Sequence, residues 1–239
     1  MRYQYLDILR WIAILLMILF HLNYSLVYIF ENNILNFSET FWFVLGKTSA
    51  LWFMIISGVS FFLAREKYGD EIRKKYIKYA GILALIALWI TIWTALFMSS
   101  QLIVFGILHL FAVSFFLLPF IAKLEYFSGF LAIILIASWA VFPLMTNIWW
   151  LFPVGIISPE FYSADYYPLI PYFWYILLWF FVWKCMQKYK LFRYLSLWRE
   201  MNALEKVLRY MGRNSLVIYV LHQPIIIASL CILFSILRP

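Results

Sequence analysis

Continuous apolar runs of about 20 residues recur along nearly the whole chain, each long enough to cross a bilayer as a helix. They fall near 5–30, 39–64, 79–100, 102–122, 127–145, 167–187 and 214–237. The runs are unbroken rather than alternating, which excludes a β-barrel. At 66% hydrophobic and only 13% charged over 239 residues, a soluble domain could not hide this apolar surface. The expected fold class is all-α: a polytopic membrane protein, a bundle of about seven transmembrane helices forming a single domain over 1–239. Ser99-Ser100-Gln101 is the tightest link, room for a hairpin turn and no more. No internal repeat or separable soluble domain is visible.

The net charge of +8 is explained by where the charges lie. Arg65, Lys67, Arg73, Lys74, Lys75 and Lys78 crowd the link between the second and third runs, and a second basic stretch extends from Lys184 to Arg213. The links after the first, third and fifth runs carry essentially no basic residues. The positive-inside rule then puts the N-terminus in the cytoplasm and the C-terminus outside, in a multi-pass protein of the cell membrane. Nucleic-acid binding is not needed to account for the charge. The first run starts too close to Met1 for a separate signal and lacks a small-residue cleavage site, so it is expected to stay. Cys185 and Cys231 fall near opposite membrane faces, so no disulfide and no metal site is expected.

Two segments do not span. Residues 188–213 mix Leu, Phe, Tyr and Trp with many basic residues, the pattern of a cytoplasmic amphipathic segment on the anionic inner leaflet or of a lid over a cytoplasmic entrance. The outer link 146–166 carries Trp149, Trp150, Phe152, Tyr162 and Tyr166 with Glu160 and Asp165. Its aromatics fit a headgroup belt, or a surface that stacks on a sugar while the carboxylates take hydroxyls.

The expensive residues are the polar ones inside the runs. Arg10 and His21 lie eleven positions apart, close to three turns, on one face and ~16 Å apart along the axis. Asp7 lies one turn before Arg10 and can pair with it. Arg10 could serve that pair alone or hold a phosphate, for which its planar fork is suited. His109 and His222 lie in the fourth and seventh runs, so all three histidines are intramembrane and a shared polar cavity is expected. Lys47 enters the second run at about the depth of His21, where it could snorkel or face the cavity. Ser49, Ser57 and Gly58 suit close helix packing. Asn214 or Ser215 can cap the last helix. Pro224 cannot donate to Val220, so a kink is expected beside His222. P-loop, GxSxG, HExxH and CxxC motifs are absent.

Asp7-x-x-Arg10 followed by His21 resembles the opening of transmembrane acyltransferases, and the Arg-to-His spacing matches the acyltransferase-3 group. Gly46-Lys47-Thr48-Ser49 through Ser57-Gly58, Gly106-Ile107-Leu108-His109, Asp165 to Pro171 and Gly212 to Pro224 resemble the catalytic domain of heparan-alpha-glucosaminide N-acetyltransferase, in order along the chain. The chain departs by carrying Trp11 after the arginine and by being shorter than the ten- or eleven-span members. The resemblance implies a membrane-embedded acyltransferase passing an acyl group, acetyl above all, from cytoplasmic acyl-CoA to a sugar or other hydroxyl or amine acceptor without a metal. It implies that His21 is the base or acyl carrier, with His109, His222 or Lys47 orienting it or stabilising the oxyanion. Arg10, with Asp7, Asn214 and Ser215, would then hold the co-substrate acyl-CoA. The expected partners are acyl-CoA, a glycan-like acceptor, the lipid bilayer and, for the whole chain, a second copy in a homodimer. A haem-binding electron carrier using two histidines, and a glycan or lipid transporter without chemistry, are the other classes this polarity fits.

Overall fold

The computed structural model describes residues 4–32, 34–35, 37–141, 148–189 and 202–237. A helix occupies each of the seven expected runs: α1 (Gln4–Tyr28), α2 (Glu39–Tyr68), α3 (Ile72–Phe97), α4 (Ile107–Ile121), α5 (Tyr126–Val141), α6 (Leu169–Lys188) and α8 (Ser215–Leu237), with a shorter α7 (Ala203–Arg213) before the last. No strand occurs among the described residues. Five helical stretches are long and apolar enough to cross a membrane, one of them the run Glu39–Phe97 that contains both α2 and α3. The apolar part of α5, Tyr126–Trp139, is shorter. The chain is an all-α, multi-pass membrane protein.

Contacts divide the chain into two compact units, residues 1–56 with 193–239, and residues 57–192. α2 runs through the boundary at Ile56 and Ser57.

In the first unit α1 and α8 run side by side in the same direction. His21 meets His222, Ser25 meets Gln223, Leu22 and Leu26 pack with Ile226 and Leu230, and Phe30 stacks on Phe234 with centroids 5.2 Å apart. Lipid tails are as apolar as leucine, so this seam is held by close packing and interhelical hydrogen bonds rather than by expulsion of water. α2 crosses α1 in the opposite sense. Ser49 Oγ donates to the Ala13 carbonyl at 2.8 Å, while Gly46 faces the Phe20 ring, which puts Lys47 at the level of Phe20 and His21. Ser49 therefore has the packing role its size suggests. After α1 the chain turns with Ile29 and Phe30 both donating to the Ser25 carbonyl and Glu31 at φ 50°.

In the second unit Phe61, Tyr76 and Phe180 form an aromatic core in which the Phe61 and Tyr76 centroids lie 4.8 Å apart. Two boundaries differ from expectation. The basic link is mostly helix: α2 continues to Tyr68 and α3 starts at Ile72, leaving one turn over Gly69–Glu71. Hydropathy ends at the first charges, but helical backbone hydrogen bonding continues through them, because Lys and Arg stems still pack; Lys75 Nζ sits 3.6 Å from the Tyr68 ring centroid. Conversely α4 starts at Ile107, not 102. Residues 102–105 pair instead with the outer link: Ala164 N–H donates to the Leu102 carbonyl and Tyr167 N–H to that of Phe105.

The turn between α4 and α5 places Glu125 at φ 49°, within 3.0 Å of Lys184 Nζ and 3.7 Å of Arg65 Nη2. The hydrogen bond and charge of Lys184, then the charge of Arg65, hold its carboxyl below the usual carboxylate range. A lowered native pKa contributes stability above the unfolded value and loses it as pH falls through the native one. The expected result for Glu125→Gln is a lower Tm than wild type at pH 7 and convergence of the two as pH falls below 4. A constant Tm difference from pH 7 to pH 3 would contradict this.

Candidate active site

Two polar clusters occupy the α1 side of the first unit. The lower one is built on Asp7, fully buried in the first turn of α1, where the positive end of the helix dipole favours a carboxylate. Its Oδ1 accepts from Arg10 Nη1 at 2.6 Å. Its Oδ2 faces Arg213 Nε at 3.5 Å and Arg209 Nε at 4.0 Å, both from α7. One carboxylate is thus shared by three guanidiniums, each partly open to solvent with side-chain exposures of 23, 26 and 40% for Arg10, Arg209 and Arg213. Three guanidiniums converging on one carboxylate form a donor set that fits a phosphate or pyrophosphate. Arg10 and Asp7 pair as the sequence suggests. Arg209 and Arg213 are additional members, hidden from a linear reading because they lie about 200 residues downstream.

α7 reaches α1 through Gly212. A Cβ there would sit 1.7 Å from the Asp7 carbonyl oxygen and 2.6 Å from its carbon, backbone atoms that cannot rotate away. α7 is itself fixed by a capping box, Asn202 Oδ1 accepting from Glu205 N–H and Glu205 Oε2 from Asn202 N–H. Gly212→Ala is therefore expected to push α7 off α1 and separate Arg209 and Arg213 from Asp7, costing about 1–3 kcal/mol by overpacking. Thermal unfolding of purified protein, with and without CoA, checks it; an unchanged Tm contradicts the close approach.

Asn214 and Ser215 form the joint between α7 and α8. Asn214 Nδ2 donates to the Tyr210 carbonyl at 2.9 Å, closing α7, and its own carbonyl accepts from Ile218 N–H to open α8. Of the expected amphipathic segment 188–213, residues 190–201 lie outside the described ones; the rest includes α7, whose Leu204, Val207 and Tyr210 are exposed.

The upper cluster lies about three turns further along α1. His21 and His222 meet edge to face with ring centroids 4.8 Å apart. His21 Nδ1 lies 3.0 Å from the Met17 carbonyl, and His222 Nδ1 bonds the Tyr219 carbonyl. A carbonyl only accepts, so both neutral rings carry their proton on Nδ1 and their lone pair on Nε2. The Nε2 of His222, itself 8% exposed, is buried with no hydrogen-bond partner among the described residues. Next to it Gln223 Nε2 donates to Ser25 Oγ at 3.1 Å. Pro224 lies inside α8 and offers no N–H to Val220. Lys47 is half-buried, with Nζ 5.7 Å from the Phe43 ring centroid.

His109 belongs to the second unit and carries the opposite tautomer. Its Nδ1 accepts from Gly106 N–H at 3.2 Å, so the neutral ring's proton is on Nε2, 3.2 Å from Thr91 Oγ1, which itself donates to the Ile103 carbonyl. Both ring nitrogens are engaged at the first turn of α4. Asp165 Oδ2 accepts from Ile107 N–H at 2.9 Å at the same turn, and any Cβ at Gly106 would meet that carboxylate at 2.2 Å. In the outer link Phe152, Phe161 and Tyr166 pack on one another, and the Tyr166 hydroxyl donates to the Phe152 carbonyl at 2.6 Å. Burial pushes the Tyr166 hydroxyl up to about 12, so it stays protonated. Trp150 and Tyr162 remain exposed, while residues 146–147 and the Trp149 side chain lie outside the described parts.

An all-α polytopic membrane protein with its intramembrane polarity gathered at helix seams is the class this architecture defines. Within that class, the model of the heparan-alpha-glucosaminide N-acetyltransferase catalytic domain matches residues 2–224, and the chain belongs to this family. No curated protein and no solved structure matches it. Family membership carries a membrane acetyltransferase-like function, and enzymes of this type use acetyl-CoA as donor. The matched span holds both polar clusters of the first unit, from Asp7 through Gln223.

Proposed function

We propose that the protein transfers an acetyl group from cytoplasmic acetyl-CoA to an amine or hydroxyl of a sugar-like acceptor at the cell membrane. The observation that carries this reading is the His21–His222 pair, two rings whose lone pairs sit on Nε2, ~16 Å along α1 from a three-arginine anion site. Arg10, Arg209 and Arg213 hold the phosphates of acetyl-CoA, and the pantetheine arm follows α1 toward the histidines. His21 Nε2 takes the proton of the acceptor N–H or O–H as that atom attacks the thioester carbonyl. The carbon–sulfur bond breaks, and the CoA thiolate leaves with the proton returned from His21. His222 shares the polar pocket and orients the acceptor, while Lys47, at the level of His21, offers a cation to the developing oxyanion. Asn214 and Ser215 keep α7, and with it two arginines, in register. His109 positions the start of α4.

The edge-to-face contact of His21 and His222 leaves no gap for a macrocycle plane between them, which favours acyl transfer over haem ligation. The deciding experiment uses detergent-purified protein with acetyl-CoA and glucosamine. CoA release that depends on glucosamine, with N-acetylglucosamine formed, supports the reading; neither CoA binding nor CoA release would overturn it.

A further inference from the structure

Gln223 takes no part in the chemistry above, yet it stands where a substrate would be read. Its amide is fixed in orientation by the hydrogen bond from Nε2 to Ser25 Oγ, and Ser25 is fully buried in α1. That leaves Gln223 Oε1 buried without a hydrogen-bond partner among the described residues. His222 Nε2, on the preceding residue, is in the same condition. Buried polar atoms are nearly always satisfied, so two bare acceptors on consecutive residues at one helix seam call for a ligand that brings two donors. A thioester carbonyl and sulfur bring none. An amine or a sugar hydroxyl does.

We infer that Gln223 is a specificity-determining residue, its Oε1 and the His222 Nε2 together receiving donor hydrogens of the acceptor, an amino sugar or polyol. This rests on the acetyl-transfer reading for the identity of the ligand as acceptor, and on the α1–α8 seam alone for the presence of a donor-bearing ligand. Ser25 acts through Gln223: by taking one N–H of the amide it fixes the side chain so that Oε1 is the buried acceptor beside His222 Nε2. An acceptor lacking the matching N–H or O–H leaves buried groups unpaired and is rejected more strongly than a missing methylene would be.

The test measures glucosamine binding by calorimetry to purified, CoA-saturated protein, with acetyl transfer followed in parallel. Gln223→Leu is expected to weaken glucosamine binding by ~10-fold or more, with CoA affinity within error of wild type and a Tm lowered by loss of the bond to the buried Ser25 hydroxyl. Gln223→Glu, which keeps an acceptor oxygen, is expected to recover most of the binding. Absence of glucosamine binding to wild type overturns the inference, as does equal binding by wild type and Gln223→Leu. A loss of CoA affinity in Gln223→Leu also overturns it, by giving the amide to the pantetheine arm. Binding that depends on Gln223 without any acetyl transfer leaves the inference standing and removes the transferase reading; transfer indifferent to Gln223 does the reverse.

Discussion

His21→Ala is expected to cut acetyl transfer by about 100- to 10,000-fold, the range that a positioned general base contributes. The loss should fall on kcat, with CoA affinity retained, because the phosphate anchor lies three turns away on the same helix. Free imidazole at millimolar concentration is expected to restore part of the rate, since the vacated pocket matches the ring in size and its Met17 carbonyl still accepts an N–H. The matched control is His109→Gln, a change at a ring that caps a helix in the other unit, whose effect should appear in Tm first. Activity of His21→Ala within a factor of ten of wild type would remove His21 from the mechanism. The measurement is CoA release under saturating acetyl-CoA with glucosamine varied.

The second large effect is expected at Asp7. Asparagine has the same shape but no charge, so Asp7→Asn leaves three guanidiniums within about 4 Å of a neutral amide. Breaking a buried ion pair by neutralising one partner costs about 3–5 kcal/mol. Two of the three partners are more than a quarter exposed, and solvent screening places the expected loss near the lower end, ~3 kcal/mol. Tm should drop by on the order of 5–10 °C. CoA should then raise the Tm of the variant more than that of wild type, because its phosphates replace the missing counter-charge. A variant that melts like wild type, or that CoA stabilises no better, would show that Asp7 does not organise the arginines.

Much of this was legible along the chain, for physical reasons that differ from residue to residue. The helices follow from lipid: a backbone in hydrocarbon must satisfy its own hydrogen bonds, so an apolar run of sufficient length dictates a helix. Asp7 with Arg10 was visible because three-residue spacing is a contact on any helix. Depth alone suggested a cavity shared by all three histidines, but not that the His21 and His222 rings touch. Their meeting depends on α1 and α8 lying side by side, a relation of residues 201 positions apart that hydropathy does not encode. Arg209 and Arg213 read as ordinary members of a basic cytoplasmic stretch, and only Gly212 against the Asp7 backbone gives them a partner. For His109 it is the helix boundary that differs. Its run was expected to begin at 102, two turns before it, whereas pairing of 102–105 with the outer link puts it in the first turn of α4.

The pairing of α1 with α8 also sets a timetable. Synthesis runs from α1 toward α8, so Asp7, Arg10 and His21 lodge in the membrane while everything through residue 202 is still being made. The arginines of α7, the second imidazole and the Gln223 amide arrive only with α7 and α8. The three-arginine cluster and the His21–His222 seam are therefore completed in the same step, when α7 and α8 dock on α1.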